Sequence, residues 1–307
     1  MSLNSGTSQD VVKTTLDGVV YQEFDAEPGP QIASATDTLV FQQGNATNAA
    51  KILEVYKGVG LWGTRAEEQD VPQSSPRVGD KKTFSVLNYA NSVDISKNFF
   101  DDEMFDVVKN MMREFGEKAR ITQDDNAMDV YRKSFTTQLT ADGVALFSNT
   151  HTNLNGDTVD NLETAALTES QLNVMITKLM EQVDQTGVVR GHMANCLLVP
   201  PALFKTAVEI TDSELRQGTA NNDLNVYSAK YGIFVKQSPY LGAAAGGSDS
   251  AYFLLAKNHQ VHRFVRQDLV TSLLNWDLQR NNNYIFKGEF REVLGAMTYE
   301  GAVASTG

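Results

Sequence analysis

The spacing of hydrophobic positions changes several times along this chain, and each change predicts an element. Residues 1–45 hold only short apolar runs, Val19-Val20-Tyr21 and Leu39-Val40-Phe41, separated by Gly, Pro, Asp and Thr. Pro28-Gly29-Pro30 forbids regular structure where it stands. The segment is too polar for its own core and too apolar for a solvated tail. It predicts an arm laid against another surface, with an N-terminal edge strand as the alternative. Residues 46–57 place Ala49, Ile52, Leu53 and Tyr56 on one helical face, with Asn45 as N-cap and Gly58 as stop. A short connecting helix, within 46–61, is expected there.

From 62 to 95 the period shifts toward two. A polar limb from Trp62 to Val71 meets a tip of Pro72-Gln73-Ser74-Ser75-Pro76, and a return limb runs through Lys82-Thr83-Phe84-Ser85-Val86 to Val93-Asp94-Ile95. This predicts a projecting β-hairpin with too little apolar surface to be stable alone. Residues 101–135 then carry the longest helical stripe: Phe105, Val108, Met112, Phe115 and Ala119, widened by Met104 and Met111. Gly116 and the 122–126 stretch are its weak points. Asp142-Gly143 marks a turn, and Leu146-Phe147-Ser148 a short strand. Thr168-Glu169-Ser170-Gln171 is a capping box with Leu167 and Leu172 as staple. It opens a helix whose stripe is Leu172, Met175, Ile176, Leu179 and Val183 and whose stop is Gly187. A buried strand at 196–199 leads through Pro200-Pro201 into a helix near 202–210. Residues 224–235 and 251–265 read as strands. The last thirty residues alternate again through Tyr284, Phe286, Phe290, Val293, Met297 and Tyr299.

Composition narrows what such a string of elements can be. With 307 residues, 41% of them hydrophobic, the chain can bury a large core, expected as two packed regions. Its 26 Lys+Arg against 38 Asp+Glu give a formal charge of −12. That balance argues against duplex-DNA binding through a general basic field. One cysteine, Cys196, cannot form an internal disulfide, and neither a signal peptide nor an 18-residue apolar run is present. A soluble, cytoplasmic chain with no membrane partner is expected.

Motifs that would carry chemistry are scarce in this chain. Gly58-Val59-Gly60-Leu61-Trp62-Gly63 matches a dinucleotide-binding glycine pattern, but no strand feeds it and no core-packed helix follows. The 150–162 segment resembles a calcium loop only at Asn153, Asn155 and Gly156; His151 and Leu162 stand where carboxylates are required. His259 and His262 are three apart in an expected strand, on opposite faces. No nucleophile elbow, zinc-protease or phosphate-loop motif appears. The expectation is a non-enzymatic protein with no cofactor, no metal and no catalytic residues.

The order of elements resembles the major capsid proteins of tailed bacteriophages, an α+β Hong Kong 97-type fold. Asp142-Gly143-Val144-Ala145-Leu146-Phe147-Ser148-Asn149-Thr150-His151 looks like the segment after the spine helix in the Mu-like head-subunit branch, and Leu198-Val199-Pro200-Pro201-Ala202-Leu203 like the strand-to-helix entry of the axial domain. The resemblance implies an N-terminal arm at 1–45, a connecting helix at 46–61 and an extended loop at 62–95. It further implies a peripheral domain at 96–165 with a spine helix at 101–135, an axial domain at 166–270, and a return to the periphery at 271–307. It implies self-assembly through pentamers and hexamers into an icosahedral head enclosing double-stranded DNA, built in the host cytoplasm and located in the virion. A separate scaffolding protein, a portal and decoration or cement proteins are the expected partners; the chain begins directly with the arm, which implies a separate scaffold or none. Candidate inter-subunit contacts in the hairpin are Arg65, Glu67, Glu68, Arg77, Lys81 and Lys82. Lys109, Arg113, Lys118 and Arg120 are the candidates for weak contact with packaged DNA. An encapsulin-like nanocompartment of the same fold is the rival. An acidic hydrolase or binding protein is the rival from another class.

Overall fold

A computed structural model describes residues 5–26, 28–96, 105–213, 227, 231–274 and 283–307. Two sheets and one long helix organise them. The helix, α2 (Phe105–Arg132), follows α1 (Ser5–Phe24) and strands β1 (Gln42–Asn45), β2 (Ala50–Lys57), β3 (Arg77–Ser85) and β4 (Leu87–Ser96). After it come β5 (His151–Thr152), β6 (Thr158–Val159), β7 (Leu162–Glu163), α3 (Glu169–Glu181), β8 (Ala194–Val199) and α4 (Pro201–Thr211). Strands β9 (Phe234–Gln237), β10 (Tyr252–Ala256), β11 (Val261–Leu274), β12 (Asn283–Ala296) and β13 (Ala302–Ser305) complete the chain.

The first sheet has the order β1-β11-β12-β4 and the second β7-β13-β10-β8-β9. Every residue of β10 is buried, because both faces of the second sheet are covered. Tyr252 and Leu254 pack with Leu172, Ile176 and Leu179 of α3, while Phe253 and Leu255 face Met128 and Tyr131 of α2. At about 1.5 Å per residue, α2 spans about 42 Å. Its first half sends Val108, Met112 and Phe115 into the core shared with α1 and the first sheet. Its second half sends Ala127, Met128 and Tyr131 into the second sheet's core. One rod therefore ties two separate cores together.

The stripe expected for this helix is confirmed at Val108, Met112 and Phe115, although Met111 is exposed and residues 101–104 lie outside the described set. Gly116 is not a break. It is where α1 crosses, and a Cβ there would collide with the Val20 carbonyl. The helix stops at Arg132, whose guanidinium donates to Asp125 at 2.6 Å and to the carbonyls of Tyr240 and Ala245 at 3.2 and 2.9 Å.

Several expectations are corrected. The connecting helix of 46–57 is strand β2. Its apolar residues fit either period over so short a run, and pairing with β3 decides the matter. The hairpin is accordingly β2 with β3, the tip spans 58–76, and 87–96 leaves it to pair with β12. The N-terminal arm contains a 20-residue helix, α1, held through Leu16 and Val20, too few positions to announce it in sequence. Leu146 and Phe147 are buried without forming a strand. Helix α3 is capped by Thr168, which accepts from the Gln171 N–H at 3.2 Å, but it ends at Glu181. Val183 lies beyond it, bridged to Val189, and Gly187 with φ 78° turns the following loop. The strand expected at 224–235 is β9 from Phe234; residues 224–226 and 228–230 lie outside the described set. The 251–265 segment divides between β10 and β11, which belong to different sheets, and the last thirty residues divide likewise between β12 and β13.

Candidate assembly interface

The β2–β3 ribbon carries an unusual density of uncovered apolar side chains. Ile52, Tyr56, Val59, Leu61, Val71 and Val78 are all more than half exposed, and Trp62 is 96% exposed. Their concentration on one projecting element makes the ribbon the candidate interaction surface. Along β2 the alternation is regular, with Leu53 and Val55 turned inward and Ile52, Glu54 and Tyr56 outward. The tip is held by little else than the Arg65 Nε donating to the Gln69 carbonyl at 2.5 Å and the Gln69 N–H donating to the Ala66 carbonyl at 3.3 Å.

The base, by contrast, is fastened. Phe84 packs edge-on to Phe264 with ring centroids 5.4 Å apart. The turn between β5 and β6 receives the ribbon: Arg77 donates to the Leu154 carbonyl, Lys57 to Asn155 Oδ1, and Gly79 leaves room for the Leu154 side chain. That turn is itself braced, because Asn153 Oδ1 accepts from the N–H groups of Asn155 and Asp157 at 3.0 and 2.8 Å. Asn155 Nδ2 in turn donates to the Thr186 carbonyl at 2.6 Å. The Asn- and Asp-rich loop thus serves as a backbone-ordering clasp. Asp184 behind it accepts from Thr186, Val188 and Arg190. Burial would raise its carboxyl, but those hydrogen bonds outweigh burial and hold it below the ordinary range.

The six hairpin residues picked from sequence therefore separate. Arg77 and Lys82 donate to carbonyls of their own chain, Lys82 to Leu139 at 2.9 Å, and burial lowers the Lys82 amine. Lys81 pairs with Glu54 across the ribbon at 2.6 Å. Only Arg65, Glu67 and Glu68 sit on the exposed tip, Glu68 with φ 66°. Beside these charges the tip carries two exposed apolar residues, Trp62 and Leu61, that were not among the six. Their signal was present: two large apolar residues in a glycine-rich run that no core element claims. Of the four candidates for contact with DNA on α2, Arg120 turns inward to Asp124 at 3.9 Å, whereas Lys118 is exposed.

The remaining polar interior is structural in its contacts. His151 is fully buried, with Nδ1 2.7 Å from Asp142 and Nε2 3.1 Å from the Leu146 carbonyl. Burial would raise Asp142, but its bonds with His151, Thr140 and the Val144 N–H prevail and lower it. His259 lies in the turn before β11 rather than in a strand, and burial depresses it to about 4. Burial likewise pushes the Cys196 thiol far up. Arg263 and Glu292 form a buried pair at 2.7 Å beneath α2, and burial raises Glu292 despite the guanidinium. Among the described residues, no group of three or more His, Cys, Asp or Glu is placed to hold a metal, and no helix is long and apolar enough to cross a membrane.

A family model described as phage capsid protein matches residues 79–303, from the return strand of the ribbon to β13. The chain belongs to the phage capsid protein family. No curated protein matches it in sequence. Solved structures agree on the fold. The capsid of cyanophage P-SCSP1u superposes with a TM-score of 0.57 at 13% identity, covering 92% of this chain and 90% of that one. A chain from Microbacterium phage Oxtober96 gives 0.52 at 14%, covering 92% and 94%. A virus-like particle from Pyrococcus furiosus gives 0.54 at 10%, covering 95% and 98%. Two sheets joined by one long helix, with a projecting ribbon, are thus the Hong Kong 97-type architecture. Family and fold together make this capsid protein a structural subunit of a phage head, not an enzyme.

Proposed function

We propose that the capsid protein assembles through pentamers and hexamers into an icosahedral head around double-stranded DNA, with the β2–β3 ribbon reaching onto a neighbouring copy. The observation that carries this is the ribbon itself: a fastened base, and a tip whose large apolar residues have no cover among the described residues. The body of α3, α4 and the second sheet would surround the symmetry axes, and α1, α2 and the first sheet would form the periphery. Assembly in the host cytoplasm, with a scaffolding protein, a portal and decoration proteins, belongs to the same reading. The segment 142–151 supports the Mu-like branch. Deleting 60–75 and closing the gap with a short glycine turn tests the ribbon without touching β2 or β3. The expected product is a folded, soluble subunit that forms no stable shells by electron microscopy; normal particles would refute the role given to the loop.

The 98% coverage of the Pyrococcus furiosus virus-like particle chain favours one second reading, a protein-filled compartment of the same fold. Purified particles separate the two by their contents: nucleic acid for a head, enzyme cargo for a compartment.

A further inference from the structure

The first sheet is covered unevenly. On the β11 side α1 lies against it, with Thr271 Oγ1 donating to Asp17 at 2.6 Å and Tyr21 donating to the Leu269 carbonyl at 3.2 Å. The middle is covered by α2, where Phe115 meets Phe286 edge-on at 5.5 Å and rests on Gly288. Beyond α2, over β4, no described element follows. What remains is an open cleft of about 350 Å³ walled by Tyr89, Phe115, Leu269 and Phe290, with Asn91 and Thr122 among its polar lining. That size lies in the range of about 300–1,000 Å³ typical of sites for small organic groups. Tyr89 and Phe290 stack at 5.0 Å, so an aromatic surface is already ordered there. Its outer rim is β4, an edge strand that pairs only with β12 among the described residues.

We propose that this cleft receives the loop tip of a second copy, with Trp62 as the side chain that fills it; the proposal rests on the shell-building reading above. Three features match. The indole needs an aromatic-walled cavity, and this cleft has one, whereas the cleft beside β1 is lined chiefly by Gln43, Asn45, Thr47, Arg266 and Asp268. The tip's extended backbone from 58 to 64 and the outer edge of β4 both carry hydrogen-bonding groups that no described strand uses, the condition for adding a strand to a sheet edge. The tip bears Glu67, Glu68 and Asp70 against the single cation Arg65, and the cleft rim bears Lys118, which forms no ion pair among the described residues. Each chain also carries one tip and one cleft on different parts of its surface. A contact between them is head-to-tail, and such contacts close into rings when the rotation permits.

The test places a benzophenone amino acid at position 62 of the full-length chain and irradiates assembled particles. The expected cross-links join two copies and map to 88–91 or 115–122. Ala119→Trp, which fills the cleft from its wall, should leave the subunit folded by circular dichroism and lower that cross-link yield about tenfold or more, as removal of a buried aromatic anchor would. Inter-copy cross-links elsewhere, or links confined within one copy, would overturn the proposal while leaving the shell intact. If the probe at 62 blocks assembly, it is moved to Asn91, whose links must then fall in 59–64. A wild-type chain that forms no particles at all would refute the shell reading instead.

Discussion

At the scale of single residues, the buried Arg263–Glu292 pair shows what holds α2 in place over the first sheet. Arg263 comes from β11 and Glu292 from β12, with Asp124 of α2 close enough to act on both. Asp124 itself accepts from the Ala35 N–H at 2.8 Å, so the charged cluster also pins the N-terminal segment. Desolvation dominates here: Asp124 and Glu292 are both raised by burial even with guanidinium groups near them. A buried pair of this kind adds little net stability, but breaking it strands a charge. Arg263→Met or Glu292→Leu alone should cost about 3–5 kcal/mol in urea unfolding of the unassembled subunit. The double variant should recover most of that loss, and a double variant as unstable as the sum of the singles would contradict this account.

At the scale of elements, α2 and the ribbon behave in opposite ways. The helix is specified by what it touches on both ends, so its sensitive positions are contacts. Phe115 is 7% exposed and packs on Phe286 and Gly288, and Phe115→Ala should cost about 3–5 kcal/mol. Gly116→Ala adds a single methyl where α1 crosses, and overpacking of that kind costs about 1–3 kcal/mol. Its mark should be local: faster proteolysis within α1 before global melting. Equal thermal midpoints and equal α1 protection in both variants would mean that the α1–α2 crossing is not where the first core is joined. The ribbon is specified by what it lacks, since its tip buries nothing in its own chain, and its order should increase on assembly.

At the scale of the whole molecule, the charge of −12 sets how a container of many copies meets its contents. Counterion release requires clustered Lys and Arg, and the α2 candidates are reduced by the inward turn of Arg120 toward Asp124. The isolated subunit should therefore bind duplex DNA weakly and in a strongly salt-dependent way in a filter or anisotropy assay. Tight, sequence-specific binding at about 0.15 M salt, where the screening length is about 8 Å, would contradict enclosure as the means of retention.

Local chemistry that acts within one turn was legible in the sequence. The Thr168 cap, the proline entry of α4, the buried run of β8 and the Val108–Met112–Phe115 stripe are set by short-range hydrogen bonding and by a period that repeats over several turns. The resemblance to the capsid fold was legible through such segments, whereas the strand at Ala50–Lys57 and the helix at Ser5–Phe24 were not. What only the tertiary structure decided are segments whose partners lie far away in sequence. Ala50–Lys57 is a strand because Arg77–Ser85 pairs with it, and β10 and β11 part into different sheets because β8 and β12 claim them. Leu16 and Val20 make α1 worth forming only once Gly116 lets the two helices touch. Short apolar runs fit either period, and the free energy that selects between them comes from burial against a distant surface. Trp62 is the limiting case: at 96% exposure no described residue covers it, so neither its spacing nor the fold of its own chain fixes where it packs.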